Sequence, residues 1–314
     1  MRILSFSSVT LEEGAVVAIG NFDGVHLGHQ AVLARLIELG KQHNLPTAVI
    51  LFEPQPLEYF KKNKSPPRIM NFRQKSEIIR DLGIDKVICL AFNQTLAELS
   101  PQDFCKLILK QKINTKYVLI GKDFCFGRNR EGNIETLINL GDILNFKVEV
   151  QQTVALASCD KVSSSAIRSE LQLANFSLAQ KMLGRSYIIT GKVMHGAKRG
   201  RLINVPTANI RLNHLPLMLR GVYGVEVMFF AQGSRKCPGV ANIGFRPTID
   251  GTSPQLEVHL FDMDLDLYGK RLKVIFKFKI RDEIKFDSFE LLTNQIKQDI
   301  DVARARLIQP KALI

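Results

Sequence analysis

The sequence predicts an α/β plus β architecture: an open α/β domain with a parallel sheet, then an antiparallel β-barrel with a long terminal helix. Three observations carry this. Over the first 185 residues, short apolar runs alternate with longer segments of helical periodicity. After Gly184-Arg185 the runs alternate apolar and polar residues and are separated by glycine-containing turns, the texture of an antiparallel sheet or small barrel. One long amphipathic segment then follows near the end. At 314 residues the chain is long enough for two cores of ordinary size, and the expected division is 1–184 and 185–314.

In the first half, 15–19, 47–52, 86–92, 117–120 and 147–150 read as strands. Between the first two, Val32, Leu33, Leu36 and Ile37 recur at helical spacing, and the pattern stops at Gly40; 74–82, 101–112 and 134–144 behave similarly. Ligands of such sheets sit beyond the carboxyl ends of the strands, so the loop after 15–19 is the first place to search. In the second half 187–193, 222–230, 238–243, 256–261 and 271–280 read as strands. Leu291, Leu292, Ile296, Ile300 and Ala303 form the expected inner stripe of the terminal helix. Residues 61–67 are the expected mobile loop.

Hydrophobic residues make up 46% and charged residues 23%, and no stretch approaches the ~20 apolar residues of a membrane helix. The N-terminal residues reach Glu12-Glu13 too soon for an apolar signal core, so a cytoplasmic protein without a membrane partner is expected. Five scattered cysteines without a CxxC pair argue against a disulfide framework or zinc site and read as reduced thiols. The net charge of +13 is uneven: residues 1–180 carry 21 Lys+Arg and 18 Asp+Glu, residues 181–314 carry 22 and 12. Nucleic acid is one reading of that bias. However, the basic residues alternate along strands, as at Lys273, Lys277 and Lys279, which marks a solvated sheet face, and attraction of nucleotides is a second sufficient cause. With no RRM or KH signature, no nucleic-acid partner is expected.

Directly after the first strand runs Gly20-Asn21-Phe22-Asp23-Gly24-Val25-His26-Leu27-Gly28-His29. Glycines let backbone approach a polyphosphate, amides at a helix start point their N–H groups at it, and imidazoles three residues apart share one helical face. His26 and His29 are thus candidate grips on ATP phosphates. The bland alternative is a glycine-rich turn with two exposed or capping histidines. Three Gly, two His, one Phe and one Asp at fixed spacing arise by chance on the order of 10⁻⁹ per position, which decides against it.

This segment resembles the HxGH motif of the nucleotidyltransferase superfamily, in the version typical of bacterial FMN adenylyltransferases. Phe52-Glu53-Pro54-Gln55-Pro56, Gly121-Lys122-Asp123-Phe124-Cys125-Phe126-Gly127-Arg128 and Val162-Ser163-Ser164-Ser165-Ala166-Ile167-Arg168 resemble further loops of that family. The resemblance implies a Rossmann-like nucleotidyltransferase domain that transfers AMP from ATP to FMN and releases pyrophosphate, by positioning and charge stabilisation. It implies that His26 and His29 hold the phosphates in the transition state. Gly20, Asn21, Phe22, Asp23, Gly28, Asp123, Phe124 and Arg128 would line the ATP and FMN site, and Ser163, Ser164, Ser165 and Arg168 would bind the triphosphate from the opposite wall. Ser165 replaces the usual Thr and keeps the hydroxyl; Cys125 stands where many relatives have Arg and removes a cation.

No GxxxxGK[ST] loop occurs. Another phosphate cradle is present in Gly191-Lys192-Val193-Met194-His195-Gly196-Ala197-Lys198-Arg199-Gly200-Arg201, followed by Pro206-Thr207-Ala208-Asn209. A Thr hydroxyl and an Asn amide oxygen suit Mg²⁺ that keeps several waters and bridges ATP oxygens; taken alone, the four residues also read as a turn. With Gly239-Val240-Ala241-Asn242-Ile243-Gly244-Phe245-Arg246-Pro247-Thr248 and Leu256-Glu257-Val258-His259-Leu260-Phe261, this half resembles riboflavin kinase throughout. Ile203-Asn204-Val205 departs from the common LGF.

The whole chain therefore resembles the bacterial bifunctional riboflavin kinase/FMN adenylyltransferase (FAD synthetase) family. The resemblance implies Thr207 and Asn209 as Mg²⁺ ligands, and Gly191, Gly196, Lys198, Gly200, Arg201, Asn242 and Arg246 as ATP- and riboflavin-binding residues. Glu257 is assigned as the general base that accepts the riboflavin 5′-hydroxyl proton. Riboflavin, FMN and FAD would be substrates or products with ATP as co-substrate, in a monomer or weak homo-oligomer. Asp262, Asp264 and Asp266 lack the Gly and terminal Glu of a calcium loop and read as a solvated turn.

Overall fold

The computed structural model describes residues 3–5, 11–151, 162–195, 203, 205–212, 216–229, 236–248, 251–263 and 265–308. The chain forms two compact units, residues 1–66 with 71–166, and residues 67–70 with 167–314. In the first, six strands form a parallel sheet: β1 (Ile3–Ser5), β2 (Ala15–Ile19), β3 (Thr47–Glu53), β4 (Lys86–Ala91), β5 (Thr115–Gly121) and β6 (Lys147–Gln151), in the order β1-β4-β3-β2-β5-β6. Every residue of β2 is buried, the reason a central strand reads as an unbroken apolar run. The connecting helices are α1 (Leu27–His43), α2 (Pro56–Lys61), α3 (Phe72–Asp81), α4 (Gln94–Ala97), α5 (Pro101–Asp103), which continues into π-helical Phe104–Lys112, and α6 (Ile134–Leu144). Phe104, Ile108 and Leu137 close the core over Val17, Ile50, Ile88 and Val118.

The sequence pattern places the end of α1 at Gly40, whereas the helix continues to His43 and ends at Asn44, in the left-handed region with φ 51°. Gly40 is there for close packing instead: a Cβ would come within 2.6 Å of Thr47 Cγ2 and 3.0 Å of the Leu45 carbonyl oxygen. Residues 61–67, expected as a loop, carry the end of α2 and a 3₁₀ turn at Lys62–Lys64. Among the described residues Cys89, Cys105, Cys125 and Cys237 are free thiols, and burial pushes Cys105 up to about 12.

The second unit holds a closed antiparallel barrel: β7 (Ile188–Met194), β8 (Ala208–Arg211), β9 (Gly221–Phe229), β10 (Lys236–Thr248), β11 (Gly251–Leu260) and β12 (Arg271–Arg281), in the order β10-β11-β8-β7-β12-β9. Its residues from 167 onward also include most of α7 (Ser164–Gln172), and α8 (Phe176–Leu183). Phe176 of α8 lies 5.9–6.4 Å, centroid to centroid, from Tyr187, Tyr223 and Phe276. Burial pushes the Tyr223 phenol up to about 12, and its hydroxyl donates to the Arg220 carbonyl at 2.7 Å.

The terminal helix α9 (Phe289–Leu307) sets Ile300, Ala303 and Leu307 against Val222, Val240 and Phe261. Leu291, expected on the inner stripe, is 53% exposed. The helix is fixed there by a polar clamp as well: Arg281 at the end of β12 binds buried Asp299 through Nε and Nη2 at 2.8–3.0 Å.

Candidate active sites

From β2 the chain passes through α1 to β3 and β4 on one side of the sheet, and reaches β5 on the other side of β2 only later. The carboxyl ends of β2 and β5 therefore flank a topological switch point, where open α/β sheets bind ligands. The loop leaving β2 is tightly held. Phe22, Gly24 and Val25 adopt φ of 45°, 87° and 40°, backbone conformations costly for side-chain-bearing residues and concentrated at functional sites. Each neighbouring carbonyl has a tether: Lys75 Nζ donates to Asn21 O at 2.6 Å, Ser164 Oγ to Asp23 O at 2.8 Å, and Gln30 Nε2 to Val25 O at 2.9 Å.

His26 caps α1. Its Nδ1 accepts the His29 backbone N–H at 3.3 Å, which leaves the ring proton on Nε2, and the two imidazoles stack at 3.6 Å. His29 also packs against Phe22 at 5.1 Å. A Cβ at Gly28 would lie 3.1–3.2 Å from the His26 ring, so glycine keeps that ring in place. The first turn of α1 carries no acidic residue, leaving its N-terminal amides and dipole compatible with an anion. Ser163 Oγ accepts from Ala166 N at 3.2 Å and caps α7. The Ser164 bond to Asp23 thus joins two motif segments that lie 141 residues apart in sequence.

After β5, Asp123 is exposed, and Phe124 is half-buried and stacked on Phe126 at 5.5 Å. Arg128 is exposed, donates its backbone N–H to Leu99 O at 2.7 Å and pairs with Glu131 at 3.6 Å. Cys125 is exposed. Arg168 belongs to the second unit, where its Nε donates to Pro67 O at 2.8 Å. Sequence reasoning missed Lys75, 1% exposed on α3, whose ammonium holds the Asn21 carbonyl. Its one signal was a lysine four residues before buried Ile79, on the inner face of a helix. The Cys89 thiol in the same region is raised by burial and then by the Glu53 carboxylate, with the Lys75 ammonium opposing them only in part.

In the barrel, Glu257 on β11 stands directly between Asn209 on β8 and Asn242 on β10. Residues opposite one another in a sheet share a face, and the alternate positions Ala208, Ile210, Ala241, Ile243, Leu256 and Val258 are all buried. Asn209 Nδ2 donates to Thr207 O at 3.2 Å. Gln255 Nε2 donates to Asn209 Oδ1, and His259 Nδ1 bonds Pro206 O at 2.9 Å. Burial pulls the His259 imidazole below its usual value.

Asn209 belongs to strand β8 and not to a turn, and Gly191 lies within β7 opposite Leu272, where a Cβ would collide with Ile210 Cγ2. Arg246 lies on β10 opposite Ser253. Gly196, Lys198, Gly200 and Arg201 lie outside the described residues. Asp262, expected as part of a solvated turn, makes a bidentate pair with Arg304 of α9 at 2.7–2.8 Å.

Residues 8–166 match the family model described as FAD synthetase, and residues 183–307 that described as riboflavin kinase. The bifunctional riboflavin kinase/FMN adenylyltransferase of Escherichia coli (strain K12) is 43% identical over 293 residues, 93% of each chain. The chain belongs to this family. The family's protein from Pseudomonas fluorescens is 44% identical over 300 residues, 95% of this chain and 94% of its own. A crystal structure from Streptococcus pneumoniae, of a protein named as a macrolide-efflux protein, matches with a TM-score of 0.75 and 31% identity over 96% of this chain and 99% of that one. Among the described residues no helix is long and apolar enough to cross a membrane.

Proposed function

We propose that the two motif sets carry the two activities of the family, adenylyl transfer within residues 1–184 and phosphorylation within residues 185–314. Riboflavin and ATP give FMN and ADP; FMN and a second ATP give FAD and pyrophosphate. The observation that carries the kinase half is the row Asn209, Glu257, Asn242 on one face of the barrel. Glu257 accepts the 5′-hydroxyl proton of riboflavin as that oxygen attacks the γ-phosphate. Arg246 and the segment 191–201 bind the substrates.

Thr207 and Asn209 fit Mg²⁺, a hard cation that takes neutral oxygen donors and keeps waters. The Asn209 amide oxygen retains a second lone pair beside its bond from Gln255. Bound there with ATP, Mg²⁺ supplies charge neutralisation on the phosphate oxygens. In the first unit the reading is supported by the stacked His26–His29 pair at the start of α1 and by the Ser164 bond that closes the loop beneath it. These histidines, with Ser163 and Ser165, hold the ATP phosphates while the FMN phosphate displaces pyrophosphate, and the loop bearing Asp123, Phe124 and Arg128 takes the flavin side. Use of ATP in both steps suits a cytoplasmic enzyme.

Purified protein incubated with riboflavin, ATP and Mg²⁺ is expected to form FMN first and FAD afterwards, with pyrophosphate released only in the second phase. Lack of either product removes the corresponding half of the assignment.

A fragment comparison tests the domain division. Residues 185–314 contain every kinase motif but omit Phe176, whose ring fills an aromatic cluster with Tyr187, Tyr223 and Phe276. Emptying a buried Phe site costs about 3–5 kcal/mol. In urea, a 167–314 fragment is expected to be more stable than 185–314 by that order, with both phosphorylating riboflavin when folded. Equal stability would show that α8 adds nothing to the kinase unit.

A further inference from the structure

Glu257 has a neighbour on either side along β11, Gln255 and His259, which project from the same face because strand side chains alternate with period two. Both reach to the segment that carries the Mg²⁺ candidates. The backbone ladder between β11 and β8 runs from Gln255↔Arg211 to Val258↔Ala208 and includes neither Pro206 nor Thr207. There the His259 side chain takes over, bonding Pro206 O at 2.9 Å. A carbonyl only accepts, so Nδ1 carries the proton and the tautomer is fixed. At the other end Gln255 Nε2 donates diagonally across the ladder to Asn209 Oδ1, while Asn209 Nδ2 donates to Thr207 O. With both ends of its amide engaged, Asn209 cannot flip without breaking two bonds.

We propose that Gln255 and His259 are positioning residues of the kinase site, which clamp residues 206–209 from both sides of Glu257 and hold Thr207 and Asn209 in one arrangement for a divalent cation. The proposal rests on the kinase reading of Glu257, Thr207 and Asn209, and goes beyond it by assigning two residues that touch neither substrate nor metal. Partners that orient metal ligands typically change metal affinity 10–100-fold when removed, so the clamp acts on cation binding and not on proton transfer.

The test uses the full-length protein with the substitutions Gln255→Leu and His259→Phe, singly and together. At saturating ATP and riboflavin, the Mg²⁺ concentration for half-maximal kinase rate is expected to rise about tenfold or more in the double variant. The rate at saturating Mg²⁺ should stay within a few-fold, and adenylylation of supplied FMN should be unchanged. In the protein without nucleotide or metal, the amides of residues 207–210 should exchange with deuterium faster than in the unsubstituted protein. His259→Asn places an amide N–H where the imidazole N–H stood and is expected to restore most of the Mg²⁺ dependence.

An unchanged Mg²⁺ midpoint with unchanged exchange would overturn the clamp, and so would failure of His259→Asn to improve on His259→Phe. If the double variant does not fold, the singles decide by the same two readouts. Glu257→Gln separates this proposal from the reading beneath it, because a general base governs turnover at saturating Mg²⁺ and leaves the midpoint in place. A shifted midpoint in the clamp variants beside full turnover in Glu257→Gln would leave the clamp standing and remove the base assignment; the reverse pattern would keep the base and remove the clamp.

Discussion

His29→Ala is expected to lower FAD formation by a factor of about 10²–10³, the usual effect of deleting one donor aimed at developing charge, and to leave FMN formation from riboflavin nearly normal. FMN should then accumulate. The substitution takes away the imidazole that stacks on His26 at 3.6 Å and touches Phe22, but the capping bond of α1 comes from the His29 backbone and survives. The Lys75, Ser164 and Gln30 tethers of the preceding loop are untouched as well. The loss should therefore appear in turnover more than in the KM for ATP, since binding contacts common to ground and transition state remain. Glu257, Asn209 and Asn242 lie in the other unit, so the kinase rate of the same molecule serves as an internal measure of intact protein. Adenylylation within a few-fold of the unsubstituted enzyme would show that His29 does not face the reacting phosphate.

The physical basis of what the sequence made legible is burial. β2, β3 and β5 stand at the middle of the parallel sheet, so their cores read as continuous apolar runs, and their bounds are found within two residues. β1 gives no such signal: three residues of an edge strand are too few to form a period. β8 is hidden for a different reason. Its four residues follow Val205-Pro206-Thr207, whose turn chemistry outweighs the strand pattern, and only pairing with β7 and β11 makes Ala208–Arg211 a strand.

The sites divide in the same way. His26 and His29 stand out as candidates because residue type and spacing are local properties, and Glu257 is a candidate only through the resemblance of its segment to riboflavin kinase. Lys75, Gln255 and His259 do not stand out, because each acts on a carbonyl or amide 46 to 54 residues away, and no window of sequence contains both partners. The polar pair of Arg281 and Asp299 escaped notice likewise: a helix pattern read through apolar positions alone assigns Asp299 to solvent, where the structure buries it.

Glu257→Gln is expected to lower riboflavin phosphorylation by a factor on the order of 10²–10⁴, the contribution of a positioned general base. Gln keeps the size and reach of Glu but cannot take up the 5′-hydroxyl proton. Its neighbours across the ladder, Asn209 and Asn242, are neutral amides that tolerate an amide between them, and Leu256 and Val258 keep β11 anchored in the barrel interior. Riboflavin and ATP should still bind, so the defect belongs to turnover with KM values little changed, and adenylylation of supplied FMN should be spared. The variant also bears on how the proton leaves. Loose phosphoryl-transfer transition states put little demand on the nucleophile, and if Glu257→Gln phosphorylated riboflavin at a near-normal rate, the proton would pass to water or to an ATP oxygen. Glu257 would then be an ordinary strand residue. A loss of 10² or more in turnover, at constant KM and full adenylyl transfer, places proton acceptance on this carboxylate.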